Sequence, residues 1–353
     1  MYIIPVLFCF ILSLLLTPLV KKLAFKIGAT DKPNKRKVHQ KIMPRLGGLA
    51  IYISFMIGCI VFIPEYWQIW PTIIGATIIT LVGLLDDKFC ISAKVKLYGQ
   101  IIAALIPVIS GIQINFITIP NGEVIEFGWV AIPVTILWIV AITNAINLID
   151  GLDGLAAGVS TIATITIAAL ALSLGQPLTV LLGLILIGST LGFLVFNFYP
   201  AKIFMGDTGS LFLGYMISVL SIIGLTKSAA IFALIIPIII LAVPIIDTTF
   251  AIVRRIVQRK PLSAPDKYHL HHCLIRIGFT HRQAVIAIYL LSGFFSLAAI
   301  LFTRATIWGA SILIIVLLLF VELIVEVTGL ISVNYRPLLT FIRGRRRETQ
   351  KLQ

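Results

Sequence analysis

Long apolar runs separated by short polar segments dominate this chain. A membrane-crossing helix needs roughly 20 mostly apolar residues. That ruler gives eleven candidate spans, at about 2–20, 47–64, 69–85, 97–112, 128–147, 155–173, 178–196, 208–225, 229–252, 284–302 and 306–329. The period changes once, between the fourth and fifth of these. Residues 113–128 alternate apolar and polar side chains around Pro120, Asn121 and Gly122, which predicts a small outer β-hairpin near 113–127. No internal repeat or low-complexity tract is found, and Gly188 and Gly192 form one GxxxG that predicts close helix packing. The pattern predicts an all-α polytopic membrane protein with one short hairpin.

Composition strengthens that picture. The chain is 59% apolar and only 12% charged, with a mean hydropathy of +1.08, whereas ordinary domains are about 25% charged. These values exclude a soluble enzyme with one buried core, a disordered chain and a disulfide-rich secreted protein. The four cysteines show no CxxC spacing. The first apolar run has no basic residue before it and no small-residue cleavage site after it, and Lys21 and Lys22 follow directly, so it reads as a retained span. The net charge is +14, and 26 of the 28 Lys and Arg fall in alternate inter-span segments. Cytoplasmic loops collect such residues, which predicts an outer N-terminus and an inner C-terminus. The chain then divides into one integral membrane domain, 1–335, and a basic cytoplasmic tail, 336–353. Arg343, Arg345, Arg346 and Arg347 in that tail read as a solvated run near anionic headgroups.

The acids are more informative. All eight aspartates, Asp31, Asp86, Asp87, Asp150, Asp153, Asp207, Asp247 and Asp266, fall on the predicted cytoplasmic side. The orientation rule counts Lys and Arg, so this is separate information, and acids near hydrocarbon are costly and by default functional. Asp86 and Asp87 close the third span, at the negative end of a helix dipole, where a cation is needed. NAINLIDGLDG (144–154) repeats that placement at the end of the fifth span, with Asn144, Asn147, Asp150 and Asp153. Asp207, in FMGDTGS (204–210), begins the eighth span. Three clusters of oxygen donors without thiolates suit Mg²⁺ better than zinc. Each cluster also has a plainer reading. Asp207 alone could be an N-cap, Asp86–Asp87 a solvated helix end paired with Lys88, and the 144–153 run mere capping. Asp247 reads as an ion-pair partner for Arg254 or a neighbouring helix, and Glu322 with Glu326 as a packing or ion-pair face. Their conjunction argues for a site.

Cations lie on the same side. Lys94 and Lys96 follow the Asp pair, and the 253–283 loop carries Lys267, HLHH (269–272) and Arg276. HxHH alone is a candidate metal site; beside three acid clusters it fits better as a donor array for a phosphorylated anion. His39, Lys41 and Arg45 extend a basic rim. Acids to hold a metal, cations around them and lipid beside them point to phosphoryl-type transfer at a membrane surface.

Together, PRLGG (44–48), LDDK (85–88), NAINLIDGLDG (144–154), NFYP (197–200), FMGDTGS (204–210) and HLHH (269–272) resemble the motifs of the polyprenyl-phosphate N-acetylhexosamine-1-phosphate transferases, in that family's order. The eleven spans match its architecture. The HxHH form with Arg276 and the PRLGG form resemble the branch that uses UDP-GlcNAc to start teichoic acid, O-antigen or related glycans. The sister phospho-MurNAc-pentapeptide translocases, which use UDP-MurNAc-pentapeptide, tend to show three adjacent histidines.

The resemblance implies that Asp207 and Asn147 ligate Mg²⁺ (or Mn²⁺), with Asp86 or Asp87 close by and Asp87 counted as a ligand. It implies that Asn144, Asp150, Asp153, Asn197 and Phe204 line a uridine and sugar pocket. Lys96, with Lys94 and Arg45, would hold the lipid phosphate, and His269, His271, His272 and Arg276 the sugar-linked phosphate. Asp86, Asp87, Asp207 and His271 are the expected catalytic residues. The implied partners are UDP-GlcNAc, undecaprenyl phosphate, the lipid bilayer and a second copy in a homodimer, with no nucleic acid. The implied location is the bacterial plasma membrane, multi-pass, with the active site on the cytoplasmic face. A phosphate monoester has a second pKa near 6, so the attacking oxygen is mostly ionised already. Direct in-line transfer is the expectation, with an aspartyl-phosphate on Asp86 or Asp87 as the competing scheme. An ion-coupled transporter fits less well, because such sites lie near the midplane on broken helices with repeat symmetry.

Overall fold

The computed structural model describes residues 2–31, 42–65, 67–118, 123–225, 234–261, 266, 268–331 and 335–340. His39, Lys41, Lys267, the hairpin turn at Pro120, Asn121 and Gly122, and the arginines from 343 onward lie outside the described residues. Among those described, eight helices are long and apolar enough to cross a membrane. They are α1 (Ile3–Ile27), α3 (Trp70–Phe89), α5 (Ala131–Ile149), α6 (Leu155–Ser173), α7 (Pro177–Asn197), α8 (Gly206–Leu225), α12 (His281–Phe302) and α13 (Ile307–Thr328).

The other three predicted spans also fall on helix, but in shorter pieces. α2 (Gly48–Phe62) has 15 residues and α4 (Ala93–Ile109) has 17. The ninth span is interrupted: α9 (Ile235–Ile240) and α10 (Ala242–Val257) meet at Leu241. Pro244 has no N–H for the Ile240 carbonyl, which breaks the ladder there. Beyond α10 come the short helix α11 (Leu270–Arg276) and then α12. Strands β3 (Phe116–Thr118) and β4 (Val124–Glu126) pair antiparallel, with Phe116 opposite Glu126.

α8 is the hub, with every residue buried, while α1 and α13 expose most of their apolar surface. Hydrocarbon gives helices no hydrophobic reason to associate, so close packing through small residues must do it. Gly83 of α3 meets the Asp207–Thr208 backbone, and Gly48 at the start of α2 meets the Gly209 backbone. A β-carbon at Gly83 would stand 2.5 Å from the Asp207 carbonyl oxygen. Gly83→Ala is therefore expected to cost about 1–3 kcal/mol through overpacking. A lowered unfolding midpoint in detergent checks this; an unchanged midpoint contradicts the close approach.

Two small elements complete the frame. β1 (Thr30–Asp31) pairs antiparallel with β2 (Met43–Pro44). The chain then runs on beside the approach to α8: Phe204 N–H donates to Pro44 O, Gly47 N–H to Phe204 O and Gly48 N–H to Met205 O. Motifs far apart in sequence are thus joined by backbone hydrogen bonds.

Candidate active site

Where α3 meets α8, the two adjacent aspartates take different places. The Asp87 side chain is fully buried. Its carboxylate accepts the N–H groups of Asp207 (2.8 Å) and Thr208 (2.9 Å) and the Thr208 hydroxyl (2.6 Å). Arg45 Nε lies 3.1 Å away. Asp87 therefore caps the N-terminus of α8 from a neighbouring helix, satisfying donors that a helix start leaves unpaired. This corrects the reading of Asp87 as a metal ligand or nucleophile, because its oxygens are occupied and away from the cavity. Gly206 faces it with φ +70°, and a β-carbon there would strike the carboxylate.

With α8 capped by Asp87, the carboxylate of Asp207 is left to face an open cavity together with Asp86. Lys96 Nζ sits between them, 3.1 Å from Asp86 Oδ2 and in close contact with Asp207 Oδ2. Arg45 Nη2 lies 3.0 Å from Asp207 Oδ1 and 4.0 Å from Asp86 Oδ2. Burial alone works against the Arg45 charge, but the carboxylates around it, Asp87 first, hold its pKa above the usual value. Lys88 lies over the Phe89 ring, and Asp86 takes its ion pair from Lys96 instead.

The opposite wall comes from the α5–α6 and α7–α8 connections. Asn147 donates to Ser210 Oγ at 2.8 Å. Asn197 ties three segments, accepting from Gly154 N–H (3.1 Å) and donating to Ile203 O (3.0 Å). Asp153 accepts from Ala201 N–H at 2.9 Å. Asp150, Phe204 and His272 complete the predicted lining, and the cavity measures about 740 Å³, within the usual size for a small-ligand site. Burial, then the neighbouring Asp207 charge, raises Asp150 to about 7. Asp150 is thus mostly protonated below that pH and ionised above it. Its ionisation adds negative charge to the cavity, so KM for an anionic substrate is expected to rise as pH passes through about 7. Asp150→Asn should remove that step, and an identical pH profile in the variant contradicts it.

Six predicted residues are not among those lining the cavity. Asp87 caps α8. Lys94 is exposed on the start of α4. Asn144 is locked in a mutual amide pair with Gln100, at 2.7 and 3.2 Å, which corrects its assignment to the uridine pocket. Arg276 caps the C-terminal end of α13 through Thr328 O and Gly329 O. His269 is bonded to Asp247. His271 is buried against Gly151. Burial, then the charges of neighbouring histidines, holds His271 well below the usual imidazole range, so it is neutral at pH 7. Of the two partners expected for Asp247, Arg254 pairs with Asp266 instead, and the contact is made to a neighbouring helix, through His269 at the start of α11. Glu326 accepts the Leu338 and Leu339 N–H groups.

Sequence reasoning missed Asp31, Tyr199 and His281, all of which line the cavity. His281 Nε2 accepts from Asp153 N–H at 2.9 Å, and its ring lies 4.6 Å from that of Tyr199. Tyr199 sits inside the NFYP stretch (197–200), and His281 follows Thr280, the capping residue of α12. Among the described residues, no group of three or more His, Cys, Asp or Glu is arranged to hold a metal. The donors at the cavity, Asp86, Asp207 and Asn147, are all oxygens. Mg²⁺ typically takes one or two carboxylates together with substrate phosphates, and this set fits that habit.

The cavity thus brings together five carboxylates (Asp31, Asp86, Asp150, Asp153 and Asp207), the cations of Arg45 and Lys96, and the amides of Asn147 and Asn197 at one end of the helix bundle. Residues 69–225 match glycosyl transferase family 4. The chain is 52% identical over 346 residues to a Bacillus subtilis protein named "Probable undecaprenyl-phosphate N-acetylglucosaminyl 1-phosphate transferase", covering 96% of this chain and 97% of that one. It is 36% identical over 321 residues to the decaprenyl-phosphate N-acetylglucosaminephosphotransferase of Mycolicibacterium smegmatis, with 82% and 79% covered. It is 31% identical over 286 residues to the undecaprenyl-phosphate alpha-N-acetylglucosaminyl 1-phosphate transferase of Salmonella typhimurium, with 77% and 76% covered. The chain belongs to the polyprenyl-phosphate N-acetylhexosamine-1-phosphate transferases of glycosyl transferase family 4.

Proposed function

We propose that this protein transfers GlcNAc-1-phosphate from UDP-GlcNAc to undecaprenyl phosphate, releasing UMP, as the first membrane step of a cell-envelope glycan pathway. The observation that carries the reading is the pairing of Lys96 and Arg45 with Asp86 and Asp207 at the mouth of a nucleotide-sized cavity. The names of the relatives above support GlcNAc as the sugar over a muramoyl pentapeptide. We read α2, α4 and the broken α9–α10 pair as three further crossings, which makes eleven, with the cavity on the cytoplasmic face where the Lys and Arg gather.

In this scheme an ionised oxygen of undecaprenyl phosphate attacks the sugar-linked phosphorus. The bond to UMP breaks, and its electron pair leaves on the UMP oxygen. The main obstacle is bringing two anions together. Lys96 and Arg45 draw them to the carboxylate pair, while Asn197 and Asp153 fix the wall that receives the nucleotide. Mg²⁺, held by Asp207 with Asp86 and Asn147 beside it, would neutralise the diphosphate when bound. Asp87 is buried and fully bonded, and this favours direct transfer over an aspartyl-phosphate on that residue. UMP exchange into UDP-GlcNAc in the absence of lipid acceptor would overturn the direct scheme.

Metal removal is the simplest check. A chelator is expected to stop UMP release, and added Mg²⁺ to restore it. Full turnover in excess chelator would contradict the metal assignment.

A further inference from the structure

Asp247, on α10, is 1% exposed. One of its oxygens accepts the Leu270 N–H at 2.6 Å, and the other lies 2.9 Å from His269 Nδ1. Arg254, two turns further along α10, does not neutralise it, since its guanidinium is bonded to Asp266 and Leu330 O. A buried carboxylate needs its charge met, and here the partners are the first N–H of α11 and the imidazole just before it. The contacts then run onward. The His269 ring stacks parallel on His271, with centroids 5.9 Å apart. His271 packs so closely on Gly151 that a β-carbon there would meet the imidazole. His272, 4.2 Å from His271, lines the cavity.

We propose that Asp247 is a positioning residue: it clamps His269 and the start of α11, and so holds His272 against the Asp150–Asp153 wall. The kinetic consequence rests on the transferase reading above; the structural one does not. Asp247 touches no substrate, and its effect passes through α11.

The test uses full-length protein in detergent, as wild type, Asp247→Asn, His269→Ala and the double variant. Asp247→Asn is expected to raise KM for UDP-GlcNAc by about tenfold, the size of one lost charge-assisted hydrogen bond, with KM for undecaprenyl phosphate unchanged. The double variant should be no more than about twofold worse than His269→Ala, because residues acting as one unit are not additive. Hydrogen exchange supplies a readout that needs no substrate. Peptides covering 268–277 should exchange about tenfold faster in Asp247→Asn, while peptides of α3 and α8 keep the wild-type rate. Multiplicative losses in the double variant, equal loss toward both substrates, or exchange that is unchanged or faster throughout would overturn the proposal. If wild type makes no lipid product while Asp247→Asn still opens α11 alone, the transferase reading fails and the clamp stands.

Discussion

Asp207→Ala is expected to reduce transfer by about a thousandfold, roughly 4 kcal/mol of barrier, in line with losing a key electrostatic group at a reaction centre. Asp207 is the carboxylate on which both cavity cations converge, through Lys96 Nζ and Arg45 Nη2. Its removal strands neither: Lys96 keeps Asp86 at 3.1 Å and Arg45 keeps Asp87 at 3.1 Å. The fold should therefore survive the loss of activity. UMP release together with the unfolding midpoint measures both, and wild-type turnover in the variant would remove Asp207 from the centre.

The second large effect separates the adjacent aspartates. Asp87→Asn places an amide NH₂ against the N–H donors at the start of α8, while Arg45 keeps Asp207 at 3.0 Å. Leaving a buried donor unsatisfied costs about 1–3 kcal/mol, so this variant should lose both stability and activity. Asp86→Asn removes one ion pair at the cavity mouth, where Lys96 retains Asp207. Partly exposed pairs contribute only about 0–1 kcal/mol, so its unfolding midpoint should stay near wild type while turnover falls. A destabilised Asp86→Asn beside a wild-type-like Asp87→Asn would reverse the two assignments.

Much of the membrane fold was legible because lipid imposes long apolar runs whatever packs against them. Eight such runs became long apolar helices, and the break in the ninth lies beside a proline already visible in the sequence. The motif residues on the α5–α6 and α7–α8 connections also came together as expected. What was not legible is which member of each pair faces the cavity. Asp86 and Asp87 look alike in sequence, yet Asp87 stands one turn beyond Gly83, on the face that meets α8. Lys94 and Lys96 are two positions apart on α4, hence on different sides of that helix, and only Lys96 reaches the carboxylates. HxHH reads as one unit, but its short helix turns His272 to the cavity and His269 toward Asp247. Asn144 shares a motif with Asn147, but finds Gln100 across the α4–α5 contact. These outcomes depend on tertiary neighbours, which local spacing does not specify.

The central claim is the reaction itself. Purified protein given UDP-GlcNAc labelled in the sugar, undecaprenyl phosphate and Mg²⁺ should form a labelled lipid and release one UMP for each lipid made. UDP-MurNAc-pentapeptide under the same conditions should give neither product. Absence of labelled lipid and UMP with UDP-GlcNAc, or preferential use of the muramoyl pentapeptide, would contradict the account.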